Sequence, residues 1–332
     1  MVYFAISEYW WLYLGFVGFV ALVLSIDLGI FHKKAHVISM KEAAAWTGVW
    51  VTCALLFNII FYFYVLHVLK QNSEADIIAK HLAMEFTTGF LIEKALAIDN
   101  IFIFAFVFSY FRIPRMYQHR ILFWGIFGAL IFRGIFIAIG SKLMQYQAVV
   151  IFFGVLLIVT GVRMLVLREK PPDLSKNFLV RQMNQLFNVD AKLSDDHFFI
   201  TKDHKVFLTP LFVALIFIEL SDIIFSIDSV PAIFAITNEP LIVFTSNVFA
   251  ILGLRSMYFL LSEAMGKFKY IKFGLAGVLI FVGLKMTFLN NYYKGHFPIW
   301  LSLIIIVLIL TTSIVVSLVL DKKPSSSTKV LR

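Results

Sequence analysis

Residues 93–102 read EKALAIDNIF, and they sit inside a run, about 81 to 110, that is otherwise apolar enough to cross a lipid bilayer. Glu93, Lys94, Asp99 and Asn100 thus fall among Phe90, Leu91, Ile101 and Phe104. What surrounds that run decides how it is read. Of the 332 residues, 61% are hydrophobic, 17% aromatic and only 15% charged. Mean hydropathy is +0.89, far from the composition of soluble domains. Nine apolar runs reach the roughly 20 residues that a spanning helix needs: about 9 to 31, 44 to 69, 81 to 110, 120 to 140, 147 to 167, 207 to 236, 241 to 262, 268 to 289 and 298 to 320. The expected fold class is an all-α integral membrane protein of nine transmembrane helices, one transmembrane domain over 1–332.

The first run has only Glu8 ahead of it and no small-residue cleavage site, so it is expected to stay as a helix rather than leave as a signal peptide. A single cysteine, Cys53, excludes an intramolecular disulfide and takes thiolates out of most metal-site arguments. The net charge of +9 would suit nucleic acid, but its distribution says otherwise. Lys33, Lys34 and Lys41 follow run one, Arg112, Arg115 and Arg120 follow run three, and Arg168, Lys170, Lys176 and Arg181 follow run five. Lys267, Lys269 and Lys272 follow run seven, and Lys322, Lys323, Lys329 and Arg332 close the chain. Basic residues in alternate loops orient a chain, here with the N-terminus outside and the C-terminus in the cytoplasm. The bilayer is the expected partner, and nucleic acid is not.

Runs three to five align with runs six to eight. IDNIFIFA (98–105) lies on IDSVPAIF (227–234), which pairs Asp99 with Asp228, Asn100 with Ser229 and, upstream, Glu93 with Asp222. Arg133 then pairs with Arg255, and GVRM (161–164) with GLKM (283–286). Run three points inward and run six outward, so the repeats, 81–167 and 207–289, are expected to be inverted, an arrangement that places transporter sites near the midplane. The 168–206 link holds NFLVRQMNQLF, apolar along one helical face, and FFITKDHKVF, which reads as a hairpin around Asp203 and His204. The tail 321–332 reads as disordered.

Carboxylates inside a bilayer are costly and persist where they line a water path, meet cations or bind ligands. Asp27 lies in run one, Glu93 and Asp99 in run three, and Glu219, Asp222 and Asp228 in run six. The cations Arg133, Arg163, Arg255 and Lys285 are spread one per helix, which fits packing by ion pairs. Arg163 is the one expected to snorkel to the cytoplasmic edge. Residues six apart on an unbroken helix diverge by about 120°, so the convergence of Glu93 with Asp99 calls for a local break. Glu219, Asp222 and Ser226 share a face. Pro231 removes the partner of the Ile227 carbonyl beside Asp228, which predicts a break in run six and offers a carbonyl next to the Ser229 hydroxyl. The Asn100 amide is the counterpart in run three.

Carboxylates with neutral oxygens suit hard divalent ions, manganese, magnesium or calcium, rather than copper or zinc. The candidate metal residues are Glu93, Asp99, Asn100, Glu219, Asp222, Asp228, Ser229 and Asp27. Asn58 and Asn247 read as interhelical hydrogen-bonders, Glu85 as a residue of the outer mouth, and His67, His32 and His36 as interfacial.

These segments carry a resemblance. MEFTTGFLIEKALAIDNIFIF, YQHRILFWGIFGALIFRGIFIA, TPLFVALIFIELSDIIFSIDSVPAIFAIT and FTSNVFAILGLRSMYFLL, with DLGIFHKKAHVISMKEA after run one, resemble the TerC/Alx family of bacterial integral membrane proteins over roughly 10 to 310. The resemblance implies a nine-helix inner-membrane protein that exports manganese through carboxylates of the two acidic helices. The expected function is therefore secondary export of Mn²⁺ as transported ion, with no tightly bound cofactor and no enzymatic activity. Protons are the expected counter-ion, because carboxylates trade metal for protons. No P-loop offers ATP coupling. The alternatives are a non-transporting scaffold or metal-stress assembly factor, a channel, and an intramembrane hydrolase. Composition leaves the oligomeric state open.

Overall fold

The structure is a computed structural model and describes residues 3–26, 38–166, 197–202, 205–262, 271–293 and 297–320. Asp27, most of the 168–206 link and the 321–332 tail lie outside the described residues. The helices are α1 (Ile6–Ile26), α2 (Met40–Val68), α3 (Ala75–Tyr110), α4 (Arg115–Leu143), α5 (Gln147–Val166), α6 (Pro210–Phe234), α7 (Pro240–Leu252), α8 (Leu254–Ser262), α9 (Ile271–Leu284) and α10 (Ile299–Leu320). α9 runs on through a π-helical turn, Lys285–Leu289, and a last turn, Asn290–Tyr292. Strands β1 (Phe199–Lys202) and β2 (Lys205–Leu208) pair antiparallel, Phe199 opposite Leu208 and Lys202 opposite Lys205. The expected hairpin is present, and its Asp203 and His204 lie outside the described residues.

Local chemistry sets the helix starts. Ser39 caps α2 by accepting the Glu42 N–H at 3.3 Å, in the Ser-x-x-Glu spacing of a capping box. Pro210 and Pro240 open α6 and α7, where a missing N–H costs nothing. Between α3 and α4 the Ile113 N–H returns to the Phe108 carbonyl at 2.9 Å, and Arg112 takes φ 51°, closing α3 before Pro114.

Seven helices of the described residues are long and apolar enough to cross a membrane, or eight spans if α7 and α8, bent by 43°, count as one. The sequence reading expects nine. The difference is α3: at 36 residues it is the longest helix described, but Glu85, Glu93, Lys94 and Asp99 interrupt its apolar course.

The expected helix breaks are corrected. α3 and α6 are each continuous. Pro231 sits in the last turn of α6, which ends at Phe234, so only the Ile227 carbonyl loses a partner and little helix remains to be bent. The bend falls instead at Gly253, inside a run that reads as one straight span.

α5 and α9 meet backbone to backbone. A Cβ on Gly161 would lie 2.8 Å from the Ala276 carbonyl, and one on Gly283 would lie 2.6 Å from the Gly154 carbonyl. In a bilayer such close approach drives helix association through packing, since lipid supplies no hydrophobic contrast. Gly161→Leu is expected to destabilise the protein by about 1–3 kcal/mol, read as a lower unfolding midpoint in detergent. Gly15→Leu on α1, where a Cβ meets nothing within 4 Å, leaves the midpoint in place. α3 occupies the centre, packed by α2, α6, α7, α8 and α10. Phe16, Phe57, Phe86 and Phe249 pack in tilted and edge-to-face contacts across α1, α2, α3 and α7, with ring centroids 5.1–6.2 Å apart.

Candidate functional site

Helical geometry assembles the site. Residues seven apart on an α-helix differ by only about 20°, so Glu93 and Asn100 share one face of α3, and Asp222 and Ser229 share one face of α6. α4 brings Arg133 between these faces, and α7 adds Asn247. All six residues are buried, none more than 3% exposed.

Arg133 is the hub. Its Nη1 donates to Glu93, to Asn247 Oδ1 at 2.6 Å and to Ser229 Oγ at 3.3 Å. Its Nη2 and Nε reach the two oxygens of Asp222 at 3.0 and 3.4 Å, a planar fork on a planar carboxylate. The Asn100 amide donates to Asp222 Oδ1 at 3.4 Å. Glu93 Oε2 is buried and has no hydrogen-bond partner, which is expensive for a carboxylate oxygen in a low-dielectric interior. Among the described residues no three His, Cys, Asp or Glu side chains stand close enough together to hold a metal ion. The cluster instead offers two carboxylates and the neutral oxygens of Asn100, Ser229 and Asn247, a hard-donor set with a guanidinium at its centre.

Of the residues singled out from sequence, Glu93, Asn100, Asp222 and Ser229 come together. Asp228 lies on another face of α6, half-buried, where it accepts from Thr160 Oγ1 of α5 at 3.4 Å. The side chain of Asp99 and the whole of Asp27 lie outside the described residues. Ser226 turns back to the Asp222 carbonyl and takes no part in the cluster.

Glu219, one turn before Asp222, lays its carboxylate on Gly128 of α4, in the space a Cβ there would fill, and its Oε2 is buried without a hydrogen-bond partner. Gly128→Ala is expected to expel that carboxylate and cost about 1–3 kcal/mol. Pairing it with Glu219→Ala should recover most of the loss, an unfolding double-mutant cycle with strong coupling.

Sequence reasoning left Arg133 among packing cations and Asn247 among generic hydrogen-bonders. The seven-residue spacing shared by Glu93–Asn100 and Asp222–Ser229, each pair matched across the repeats, was the signal that would have found the cluster. Asn58 fits its expected role, donating from α2 to Thr87 Oγ1 and the Ala83 carbonyl of α3. Arg163 is exposed in the last turn of α5.

Cavities lie on both sides of the cluster. On the side of Glu239, one of about 520 Å³ is lined by Glu85, His81, Glu239 and Lys285. There Thr237 Oγ1 donates to Glu85 at 2.6 Å, and the backbone N–H groups of Tyr3 and Phe4 donate to the Glu239 carboxylate. Burial raises the pKa of Glu239, an effect those two N–H donors oppose. On the side of Arg112, a space of about 10 Å³ touches Asp222 and Arg255, near the least volume that admits one water. A wider cavity of about 660 Å³, lined by Arg112, Arg115 and Tyr258, lies by the α3–α4 turn.

The model of the integral membrane protein TerC family matches residues 78–325, the segment that holds every residue of the cluster. The chain belongs to the TerC family. An uncharacterized membrane protein of Myxococcus xanthus is 43% identical to this TerC chain over 317 residues, 95% of this chain and 94% of that protein. A protein of Escherichia coli K12 named "Putative membrane-bound redox modulator Alx" is 42% identical over 305 residues, 91% of this chain and 92% of its own length. An uncharacterized membrane protein of Rickettsia felis is 41% identical over 305 residues, 92% of this chain and 96% of its own. No solved structure matches.

Proposed function

We propose that this TerC-family protein is a secondary carrier that exports Mn²⁺ across the bacterial inner membrane, with Glu93 and Asp222 as the charged ligands of a midplane site. One observation carries the reading. Carboxylates from two helices that the sequence relates to each other converge on one buried point, where Glu93 keeps an unpartnered oxygen. In the empty carrier Arg133 neutralises them. An arriving dehydrated cation takes its place, and Asn100, Ser229 and Asn247 complete an oxygen shell of the kind manganese accepts. Glu219, Asp228, Asp99 and Asp27 are further carboxylates of the ion path.

The inverted-repeat reading draws support from α5 and α9. The alignment pairs Gly161 with Gly283 and Gly154 with Ala276, and the contacts are Gly161 on Ala276 and Gly154 on Gly283. A two-fold axis between the helices exchanges one contact for the other. Counting α3 and the bent α7–α8 pair as spans gives nine crossings. The positive-inside rule then puts Arg112 and Arg115 in the cytoplasm and Glu239 outside.

Moving two charges outward against ~100 mV costs about 4.6 kcal/mol, at ~2.3 per charge, so export needs a coupling ion. Protons fit a carboxylate site, whose metal affinity falls as pH drops. The test is purified protein in vesicles, with Mn²⁺ and proton movement followed together. Saturable Mn²⁺ flux with opposite proton flow is expected. Absence of flux for Mn²⁺, Mg²⁺ and Ca²⁺ alike would sink the carrier. A second reading, a membrane scaffold, is favoured by the completeness of the Arg133–Asp222 pairing, since a satisfied buried ion pair can serve packing alone. The name of the Escherichia coli relative points to redox work. In this chain the lone Cys53 rules out an intramolecular dithiol cycle.

A further inference from the structure

We infer that Lys94 is a positioning residue that clips the α7–α8 bend, and that this bend is the gate between the Arg133 cluster and the Arg112 side. The inference rests on the carrier reading. The last carbonyls of any helix lack intrahelical partners, and at membrane depth water is not there to replace them. α7 ends at Leu252, and Lys94 Nζ donates to its Ala250 carbonyl at 3.1 Å. The amine occupies the space of a side chain at position 253: a Cβ on Gly253 would lie 2.5 Å from Nζ and 3.3 Å from Trp50 Cβ. Glycine at 253 therefore serves the entry of Lys94 from α3, whose Phe90 ring lies 5.7 Å beneath the amine.

What the bend encloses gives it a role. Ile251, Leu254 and Arg255, from both arms of the bend, face Asp222 across the 10 Å³ space beside the cluster. α7 is held to the cluster through Asn247, and α8 is held to α4 at its far end, where Tyr258 donates to Gln118 Oε1 at 3.0 Å, so the two arms are anchored separately and Gly253 is the joint between them. A change of angle at Gly253 moves Leu254 and Arg255 relative to Asp222 and widens or seals that space. Lys94 directly follows Glu93, so one turn of α3 carries both a cluster carboxylate and the clip. When a cation displaces Arg133 and Glu93 changes partner, the same turn shifts its hold on Ala250. Occupancy and gating are thereby coupled through one turn of one helix.

The test places a single reporter cysteine at Leu254, buried at 3% exposure, in a Cys53→Ser background, and applies a membrane-impermeant maleimide from the Arg112 side. Lys94→Met is expected to speed labelling about tenfold and to lower the maximal Mn²⁺ flux by a similar factor, with KM within about twofold because the ligands are untouched. Lys94→Arg should restore slow labelling. If Lys94→Met does not fold, Gly253→Ala displaces the amine without altering charge and should give the same acceleration. Unchanged labelling in the folded variant, or a raised KM with maximal flux intact, overturns the gate. Accelerated labelling in a protein whose unmodified form shows no flux keeps the gate and removes the carrier.

Discussion

On the carrier reading, Asp222→Asn is expected to abolish Mn²⁺ flux, lowering the rate about 100-fold or more at fixed Mn²⁺, a loss of about 2.7 kcal/mol. The amide keeps the volume of the side chain and one acceptor oxygen, so packing around α6 is preserved. It removes the negative charge that faces the Arg133 fork through both oxygens and that a divalent cation would need in its inner shell. Glu93→Gln should act in the same direction, because it removes the buried carboxylate oxygen that has no hydrogen-bond partner. Asp76→Asn is the control: that carboxylate is exposed and bonded to Lys80 and Tyr62, and its loss leaves flux unaltered. Flux equal to the parent's in a well-folded Asp222→Asn protein would remove the midplane site from the mechanism.

Arg133→Met should destabilise the fold by about 3–5 kcal/mol, since it leaves two buried carboxylates without their countercharge. Arg133→Lys is expected to fall between, keeping charge while losing the planar fork. The informative measurement adds metal. If Arg133 holds the place of the transported ion, Mn²⁺ at about 100 times its Kd should return about 2.7 kcal/mol to Arg133→Met, seen as a concentration-dependent rise in the unfolding midpoint. A scaffold predicts the same initial loss with no recovery by metal. Combining Arg133→Met with Glu93→Gln and Asp222→Asn should regain stability without metal, because no charge then remains in the cluster.

Much of this was legible in the chain. Hydropathy alone reveals membrane helices, because lipid imposes both length and intrahelical hydrogen bonding. The acidic pairs on runs three and six pointed to Glu93, Asn100, Asp222 and Ser229. Asp228 stands outside the Arg133 cluster because of its spacing from Asp222: six residues carry a side chain a third of the way around the helix, whereas seven bring it back. Pro231 was a misleading signal because its effect depends on how much helix follows, and only Ala232, Ile233 and Phe234 do. The bend at Gly253 was unreadable for the opposite reason. The group lodged against it is Lys94, 159 positions earlier on another helix, and single-chain periodicity carries no information about such a partner. The π-helical turn at Lys285 left no pattern in the sequence either.

The glycine seam between α5 and α9 has a mechanical consequence. Where carbonyls rest against the bare backbone of the neighbour, and Ile158, Ile280 and Thr287 fill the gaps the glycines leave, the two rods interlock instead of sliding. They must travel as a single plate. Any rocking during a transport cycle is then confined to the boundary around the central α3 and the α7–α8 arm, and the seam serves as its fixed frame of reference.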